Sequence, residues 1–178
     1  LAKSKARMAS GQEVEVSLVR VKSMRVGLAR IDNLGVAVYE IGVLIEPALA
    51  RWFVNMATGE DIAELERIQG LIEVNNFADI FRHSELDTAF HTVMYERHYN
   101  RHATELWWKH REVLRAVARR FNFTLARRAA IMREHRELIA HVKAGEADKA
   151  AELVARHVDG SGRHILEHMR ARNAAQAG

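Results

Sequence analysis

Apolar residues return every three or four positions along most of the chain after residue 35, which is the spacing of helices that bury one face. The pattern predicts six helices, which we place at about residues 36–57, 59–73, 78–98, 101–122, 124–143 and 146–172. The connections between them are short, and short connections favour antiparallel neighbours. The sequence therefore predicts an all-α antiparallel bundle, whose interior is a usual location for a metal or a small ligand.

Residues that begin or end helices occur where the predicted helices meet. Residues that disfavour helix also occur inside two of these helices. Thr58, which acidic residues follow, is typical of a helix N-cap, and Gly145 is typical of a C-terminal stop. Pro47 lies inside the first helix and predicts a kink or a break. The stretch Gly160-Ser-Gly162 lies inside the sixth helix, and we expect it to interrupt that helix.

Residues 1–35 follow a different pattern from the rest. The stretch Glu13-Val-Glu-Val-Ser-Leu18 alternates with a period of two, which predicts a short strand. Because an isolated strand needs a partner, we interpret this segment as a linker or the remnant of a preceding domain, or else as a segment drawn into a helix by its context. The first residue is Leu, so we expect the chain to be a fragment or a processed form.

The composition narrows the class of protein. Hydrophobic residues make up 48% of the 178 positions, enough for a real core. There is no cysteine, which excludes disulfides, thiolate zinc sites and a cysteine nucleophile, and which fits the cytoplasmic location that we expect. No apolar run reaches the length of a membrane span and no signal peptide is visible, so we expect no membrane partner.

The net charge of +4 does not by itself predict nucleic-acid binding. Acidic and basic residues are interleaved, as in the run at residues 133–137. Interleaving of this kind is typical of a solvated helix surface. The net positive charge therefore does not indicate a function, and the histidines are the more informative feature.

Three polar residues in the third predicted helix follow each other by four. His83, Asp87 and His91 consequently share one face, and Phe90 and Met94 beside them indicate that part of this face is buried. A buried carboxylate must be paired, and a metal ion is one way to pair it. Aspartate oxygen with histidine nitrogen suits zinc, nickel, manganese or iron. The spacing alone also describes an ordinary hydrogen-bonded pair, which is the more common arrangement.

The fifth and sixth helices each carry a histidine in an apolar stripe. His135 lies in line with Ile131 and Leu138, and His157 lies in line with Leu153 and Val154. A histidine in such a stripe is more often a hydrogen-bonded core residue than a ligand. Three helices nevertheless each offer inward-facing groups that bind metals.

Several motifs together resemble the effector-binding (FCD) domain of GntR-family transcription regulators of the FadR subgroup. They are Tyr39-Glu40, Ile45-Glu46-Pro47, the run at residues 57–65, Asp87-Thr-Ala-Phe-His91, Asn100, Glu134-His135, and the run at residues 145–151 that leads into His157. They occur in the expected order and spacing over about residues 36–170. The combination is fairly specific, although no single motif would be.

The resemblance implies an all-helical antiparallel bundle of six or seven helices with a central ligand and metal cavity. It implies a divalent metal, zinc or nickel, held by Asp87, His91, His135 and His157, with a small organic acid as effector. It also implies a homodimer, with residues 36–178 as the effector-binding and dimerisation domain. DNA would be bound only through an N-terminal winged helix-turn-helix domain that we do not find in this chain.

One position departs from the family pattern. Many members carry an arginine four residues before the glutamate of the Glu-Pro pair, where it meets a carboxylate ligand, and Gly42 stands there in this chain. The usual carboxylate clamp is therefore not expected at this position. A second departure is Gly160-Ser-Gly162, which we expect to reshape the helix just after His157 so that Ser161 and His164 face the ligand. We also expect His83 to contact the ligand.

Three functions remain open from the sequence. A ligand-sensing regulatory domain leads, and we expect no enzyme. A metal-dependent helical-bundle enzyme acting on small organic acids is the alternative, with Glu134 as the only nearby candidate base. A helical interaction domain anchored by Trp52, Trp107 and Trp108 is the third. Arg51, Lys109 and Arg111 are conceivable ligand partners, although we expect each on the surface.

Overall fold

The computed structural model describes the backbone of residues 2–7, 13–18, 24–26, 29–31, 34–118 and 123–175. Side chains are described at residues 41–112, 114–115, 123–168 and 171. The chain's internal contacts divide it into two compact units, Leu1–Leu34 and Gly35–Gly178. Each unit has its own secondary structure and is considered by itself.

The first unit contains two antiparallel hairpins. Strand β1 (Ala2–Arg7) pairs with β2 (Glu13–Leu18), and β3 (Met24–Val26) pairs with β4 (Ala29–Ile31). The predicted strand at residues 13–18 is thus confirmed, and β1 is the partner that it required. The interpretation of residues 1–35 as a linker or the remnant of a preceding domain stays a prediction.

The described residues of the second unit are helical and confirm the predicted bundle. They form the helices α1 (Leu34–Met56, beginning at the unit boundary), α2 (Gly59–Asn75), α3 (Ile80–Tyr95), α4 (Arg101–Ala118), α5 (Leu125–Ala144) and α6 (Ala147–Ala175). Helix α2 packs against α3 and α5, α5 packs against α6, and α3 contacts α4. None of the described helices combines the length and apolar character that a membrane span requires.

The helix ends follow the capping residues that the sequence indicated. Thr58 and Asp61 form a reciprocal capping box at the start of α2, in which each side chain accepts a hydrogen bond from the other's backbone N–H. Thr124 caps α5, and Gly145 ends it with a left-handed backbone (φ +69°) that favours glycine. The fourth predicted helix extends to residue 122, and residues 119–122 lie outside the described part of the chain.

Neither of the two predicted interruptions breaks its helix. Helix α1 continues through Pro47 and α6 continues through residues 160–162, so a break at either place is wrong, and the kink that was the alternative stays a prediction. Proline removes one backbone hydrogen bond, but residues after it in α1, such as Leu49 and Phe53, are buried in the core and support the helix. Gly160 serves a packing role, since the guanidinium of Arg127 lies where a side chain would begin.

The two tryptophans of α4 both pack against the hydrophobic core. Trp107 is fully buried against Tyr95, with ring centroids 5.2 Å apart, and Trp108 is partly buried beside it. Trp52 is also partly buried and contacts His98. These tryptophans therefore have places within the core of a single chain, which weakens the argument for an interaction surface built on them.

Candidate metal centre

Four polar side chains converge in the interior of the bundle. Asp87 and His91 come from α3, His135 from α5 and His157 from α6, and each offers one ligand atom within 4.8 Å of all the others. The Nε2 atoms of His91 and His135 lie 3.9 Å and 3.6 Å from Oδ1 of Asp87. These are the four residues that the resemblance assigned to a metal.

The surrounding core holds the rings in place. The four-residue spacing in α3 puts Asp87 and His91 on one face, as the sequence predicted. Phe90 lies beside them and stacks on the His135 ring, with centroids 4.3 Å apart and planes 4° from parallel. His91 and His135 are each 1% exposed, so bulk water does not reach these two rings.

A hydrogen-bonded chain fixes the tautomer of His135. Nε2 of Gln69 donates to Oε1 of Glu73 at 2.8 Å, so the amide oxygen of Gln69 faces Nδ1 of His135, 3.0 Å away. An oxygen can only accept, and Nδ1 of His135 therefore carries the proton. Nε2 of His135 is left with a lone pair directed towards the cluster, as metal coordination requires.

A carboxylate orients His157 in the same way. Oε2 of Glu134 accepts from Nδ1 of His157 at 2.8 Å, and Oε1 of Glu134 accepts from Arg127 at 3.0 Å. Arg127 also donates to the backbone oxygen of His157 and to Ser161. Glu134 is thus engaged on both oxygens, which makes it an orienting partner of a ligand and a poor general base.

The two oxygens of Asp87 have separate partners. Oδ1 faces the histidines, while Oδ2 accepts a close hydrogen bond from Arg111, which also donates to Thr88. The expectation that Arg111 lies on the surface is wrong, because its side chain is only 11% exposed. Arg51 and Lys109 are exposed as expected, and Arg51 pairs with Asp148.

The electrostatics of the cluster suit a cation. Burial raises the pKa of Asp87, but Arg111 and the nearby histidines outweigh burial and hold this pKa well below its usual range. Burial lowers the pKa of His135 to about 3 and that of His91 well below its usual range. These directions keep His91 and His135 neutral and Asp87 ionised, as metal binding by these three residues requires.

The donor set passes a direct test of fit. Nε2 of His135 is buried without a hydrogen-bond partner among the described residues. It is an acceptor, and it faces Oδ1 of Asp87, a second acceptor, at 3.6 Å. Two buried acceptors facing each other are unfavourable unless a cation or a donor lies between them. Three imidazole nitrogens and one carboxylate oxygen form a set that suits zinc or nickel.

A cavity of about 70 Å³ lies beside the cluster. Its lining includes Asp87, His91 and His157, together with the predicted ligand-binding residues His83 and Ser161. At about 10–15 Å³ for each enclosed water, this space holds roughly five to seven waters or a small organic molecule. The arrangement can therefore place a small ligand directly beside a bound metal.

The three predicted ligand-binding residues are not equivalent. The ring of His83 stacks on the ring of Phe77, with centroids 3.7 Å apart, and His83 lines the cavity. Ser161 lines the cavity while accepting from Arg127 at 2.9 Å. His164 is not among the lining residues, and its Nε2 accepts from the backbone of Thr124 at 3.4 Å, so its position gives no support to a ligand contact.

Gly42 lies close to Val158 and Glu46, two residues that line the cavity. A Cβ atom there would lie 2.9 Å from both Nε2 of His110 and Cγ1 of Val158, so these side chains occupy the space that a larger residue needs. Glu46, one turn along α1, lines the cavity and lies 3.9 Å from His110. Burial, partly opposed by Arg111, raises the pKa of Glu46 to about 7.

Sequence reasoning missed the residues that orient the ligands. Gln69 has one sequence signal, since it is a lone amide among the buried residues Leu65, Ile68 and Ile72 of α2. Glu134 was noticed only as a candidate base, and its contact with His157 depends on how α5 and α6 pack. Nothing in the sequence indicates that contact.

Comparisons with solved structures agree with the fold. A transcriptional regulator of the GntR family from Pseudomonas syringae matches with a TM-score of 0.67 at 14% identity, over 94% of this chain and 65% of that chain. A GntR protein from Streptococcus agalactiae matches with a TM-score of 0.66 at 18% identity, over 89% of this chain and 74% of that chain. The chain thus spans about two thirds of the length of the first of these proteins.

Sequence comparison gives the family. No curated protein matches the chain at a significant level. The model of the FCD domain matches residues 37–160, which is more than half of the chain and includes all four residues of the cluster. By this match, the chain belongs to the FCD domain family.

Proposed function

We propose that this chain is the ligand-sensing part of a GntR-type transcription regulator, in which a small organic acid binds at a divalent metal. The observation that supports this most strongly is the placing of four metal-binding atoms within 4.8 Å of one another, beside a cavity of ligand size. Zinc and nickel are the metals that we expect from the ligand set of Asp87, His91, His135 and His157.

A regulatory role follows from the family, and the chain is not an enzyme. FCD domains of transcription regulators are regulatory and not catalytic, which confirms the expectation from sequence. The site agrees, because Glu134, the one candidate base named from sequence, is occupied by His157 and Arg127. The alternative of a metal-dependent enzyme acting on organic acids therefore loses its only proposed base.

The chain's own residues carry the sensing mechanism. A bound metal supplies a Lewis-acid anchor for a carboxylate oxygen. Asp87 and His91 link that anchor to α3, His135 links it to α5, and His157 links it to α6. A ligand that bridges the anchor and the cavity wall stabilises one arrangement of these helices over others, which is a population shift. In the homodimer that we propose, the shift would alter the spacing of N-terminal winged helix-turn-helix domains that bind DNA.

Metal content is the first test. Purified chain, loaded with zinc or nickel and passed over a desalting column, should retain about one metal per chain by elemental analysis. A double variant Asp87→Ala/His135→Ala should retain none. His102→Ala is the matched control, because His102 is an exposed histidine of α4 outside the cluster. Equal metal in the parent and the double variant would contradict the proposed site.

Cobalt then reports whether an acid reaches the metal. Cobalt(II) bound by imidazole and carboxylate absorbs visible light, and the spectrum changes when a ligand enters the coordination sphere. Adding a small 2-hydroxy acid to the cobalt-loaded chain should change this spectrum and raise the melting temperature, since ligands that bind only the folded state stabilise it. An unchanged spectrum across a panel of small acids would overturn the proposal of a metal-anchored acid.

A further inference from the structure

One cation of the cavity lining has no partner in the described part of the chain. Arg115, in the last turn of α4, lines the cavity. It makes no hydrogen bond or ion pair with any residue whose side chain is described. The neighbouring arginines differ, since Arg111 binds Asp87 and Arg127 binds Glu134. Arg115 is thus a cation at a cavity wall that is free to receive an anion.

The charges around the cavity leave an excess of positive charge. Arg111 balances Asp87, and Arg127 balances Glu134. Glu46 is the remaining carboxyl of the lining, and it removes at most one positive charge. A divalent metal in the cluster adds two positive charges and Arg115 adds one. A ligand with two negative charges balances this excess better than a ligand with one.

The geometry separates the two anion-binding points. Arg115 follows Arg111 by four residues, so their Cβ atoms lie about 5–6 Å apart along α4. Because Arg111 reaches Asp87, Arg115 stands about one helical turn from the cluster. Apolar side chains complete the lining, among them Leu114, Ile131 and Val158. Walls of this kind suit a short methylene chain between two polar ends.

We propose that the effector is a small dicarboxylate, with one carboxylate at the metal cluster and the second held by Arg115. The inference rests on the proposed function, since it takes the cluster as the anchor for the first carboxylate. The planar guanidinium of Arg115 matches the second carboxylate with two parallel hydrogen bonds. Arg115 is therefore the residue that selects diacids over monoacids.

Calorimetric titration of the metal-loaded chain with matched acid pairs tests the proposal. The pairs are malate with 2-hydroxybutyrate, succinate with butyrate, glutarate with pentanoate, and adipate with hexanoate. Members of each pair have the same number of carbons and differ in the remote carboxylate. The parent chain should bind at least one diacid about tenfold or more tightly than its monoacid, as a charge-assisted pair predicts.

Variants of Arg115 identify the cause of the preference. Arg115→Gln should remove the preference for the diacid, because it should lower the affinity for the diacid by much more than the affinity for the monoacid. Arg115→Lys keeps the charge and should retain part of the preference. Lys109→Gln is the matched control, because it removes an exposed positive charge from the same helix and should leave the preference intact. Circular dichroism of each variant checks that the fold is kept.

The outcomes separate this inference from the proposed function. A monoacid that binds only in the presence of metal, with no diacid binding more tightly, overturns the role of Arg115 and leaves the metal-anchored acid standing. A preference that survives in Arg115→Gln overturns the inference as well. If neither class of acid binds the metal-loaded chain, or if no metal is retained, the proposed function fails and the inference fails with it.

Discussion

The side-chain oxygen of Gln69 lies 3.0 Å from Nδ1 of His135, although the two residues are 66 positions apart in sequence. Gln69 is itself fixed by donating to Glu73 at 2.8 Å. The contact decides which ring nitrogen of His135 carries a proton and so which one can bind a metal. A neutral glutamine in α2 thereby orients a candidate metal ligand in α5.

Replacing Gln69 should weaken metal binding, although Gln69 is not one of the proposed metal ligands. In Gln69→Leu the Nδ1–H of His135 loses its acceptor, so the ring is no longer held in one orientation. We expect the affinity for zinc to fall about 10–100-fold, which is typical when an orienting partner of a ligand is removed. Competition with a chromophoric chelator measures this directly.

A control for Gln69→Leu keeps an acceptor oxygen at position 69. Gln69→Glu can still accept from His135, and it should retain more of the zinc affinity than Gln69→Leu. Glu66→Gln alters an exposed residue of the same helix and should have no effect. Equal zinc affinity in Gln69→Leu and the parent would contradict the orienting role.

Removing the charge of Asp87 should reduce stability even without metal. Asp87→Asn removes the carboxylate that accepts from Arg111, whose side chain is only 11% exposed. Breaking a largely buried pair by removing one member destabilises by roughly 3 kcal/mol. Urea unfolding in the presence of a chelator should show this loss. His91→Gln removes a proposed ligand and keeps the pair of Asp87 with Arg111, so it should cost metal affinity but less stability.

The local features of the chain were predictable from sequence, because local rules govern them. The helices, the Thr58 cap and the Gly145 stop follow from apolar spacing and backbone preference. The shared face of Asp87 and His91 also follows from spacing within one helix. The apolar stripes marked His135 and His157 as candidates among the ten histidines, but only the family resemblance joined them to Asp87 and His91 in one site.

The features that sequence reasoning missed all depend on packing between helices. The burial of Arg111 follows from its reach across to Asp87, 24 residues away in sequence. The presence of a glycine at position 160 of the continuous helix α6 is explained by the guanidinium of Arg127, which comes from a different helix. A glycine inside a helical pattern does not reveal whether it breaks the helix or makes room for a neighbour.

Two glycine substitutions should have opposite effects for this reason. In Gly160→Ala the new Cβ would lie 2.9 Å from Nη1 of Arg127, which is held by Glu134 and Ser161. In Gly70→Ala the new Cβ would meet nothing within 4 Å. The gain in helix propensity is at most about 1 kcal/mol at either site. We expect Gly70→Ala to stabilise the protein by up to that amount. We expect Gly160→Ala to destabilise it by roughly 1–2 kcal/mol, because displacing Arg127 costs more than the added helix propensity contributes.

Chemical denaturation of both variants measures the difference. The free energy of unfolding should rise for Gly70→Ala and fall for Gly160→Ala, relative to the parent chain. If both substitutions stabilise the protein equally, the side chain of Arg127 moves aside without cost. That result would refute the packing role of Gly160.

The buried carboxyl of Glu46 should make stability fall as the pH rises towards neutrality. Its pKa is about 7 in the folded chain against 4.5 for the free group, with burial as the main cause. Between these values the unfolded chain releases the proton while the folded chain keeps it, so the unfolded state binds fewer protons and stability falls with rising pH. The full loss above pH 7 is roughly 3 kcal/mol.

Glu46→Gln removes this titration and keeps the shape of the side chain. We expect the variant to be more stable than the parent at pH 8 and close to it at pH 4.5, in unfolding measurements on the metal-free chain. His110, whose pKa burial lowers to about 4, acts in the opposite direction, because its protonation on unfolding reduces stability as the pH falls below 6.5. His110 is present in both proteins, so the difference between their curves isolates Glu46. Parallel curves from pH 4.5 to 8 would mean that Glu46 titrates as an ordinary carboxyl.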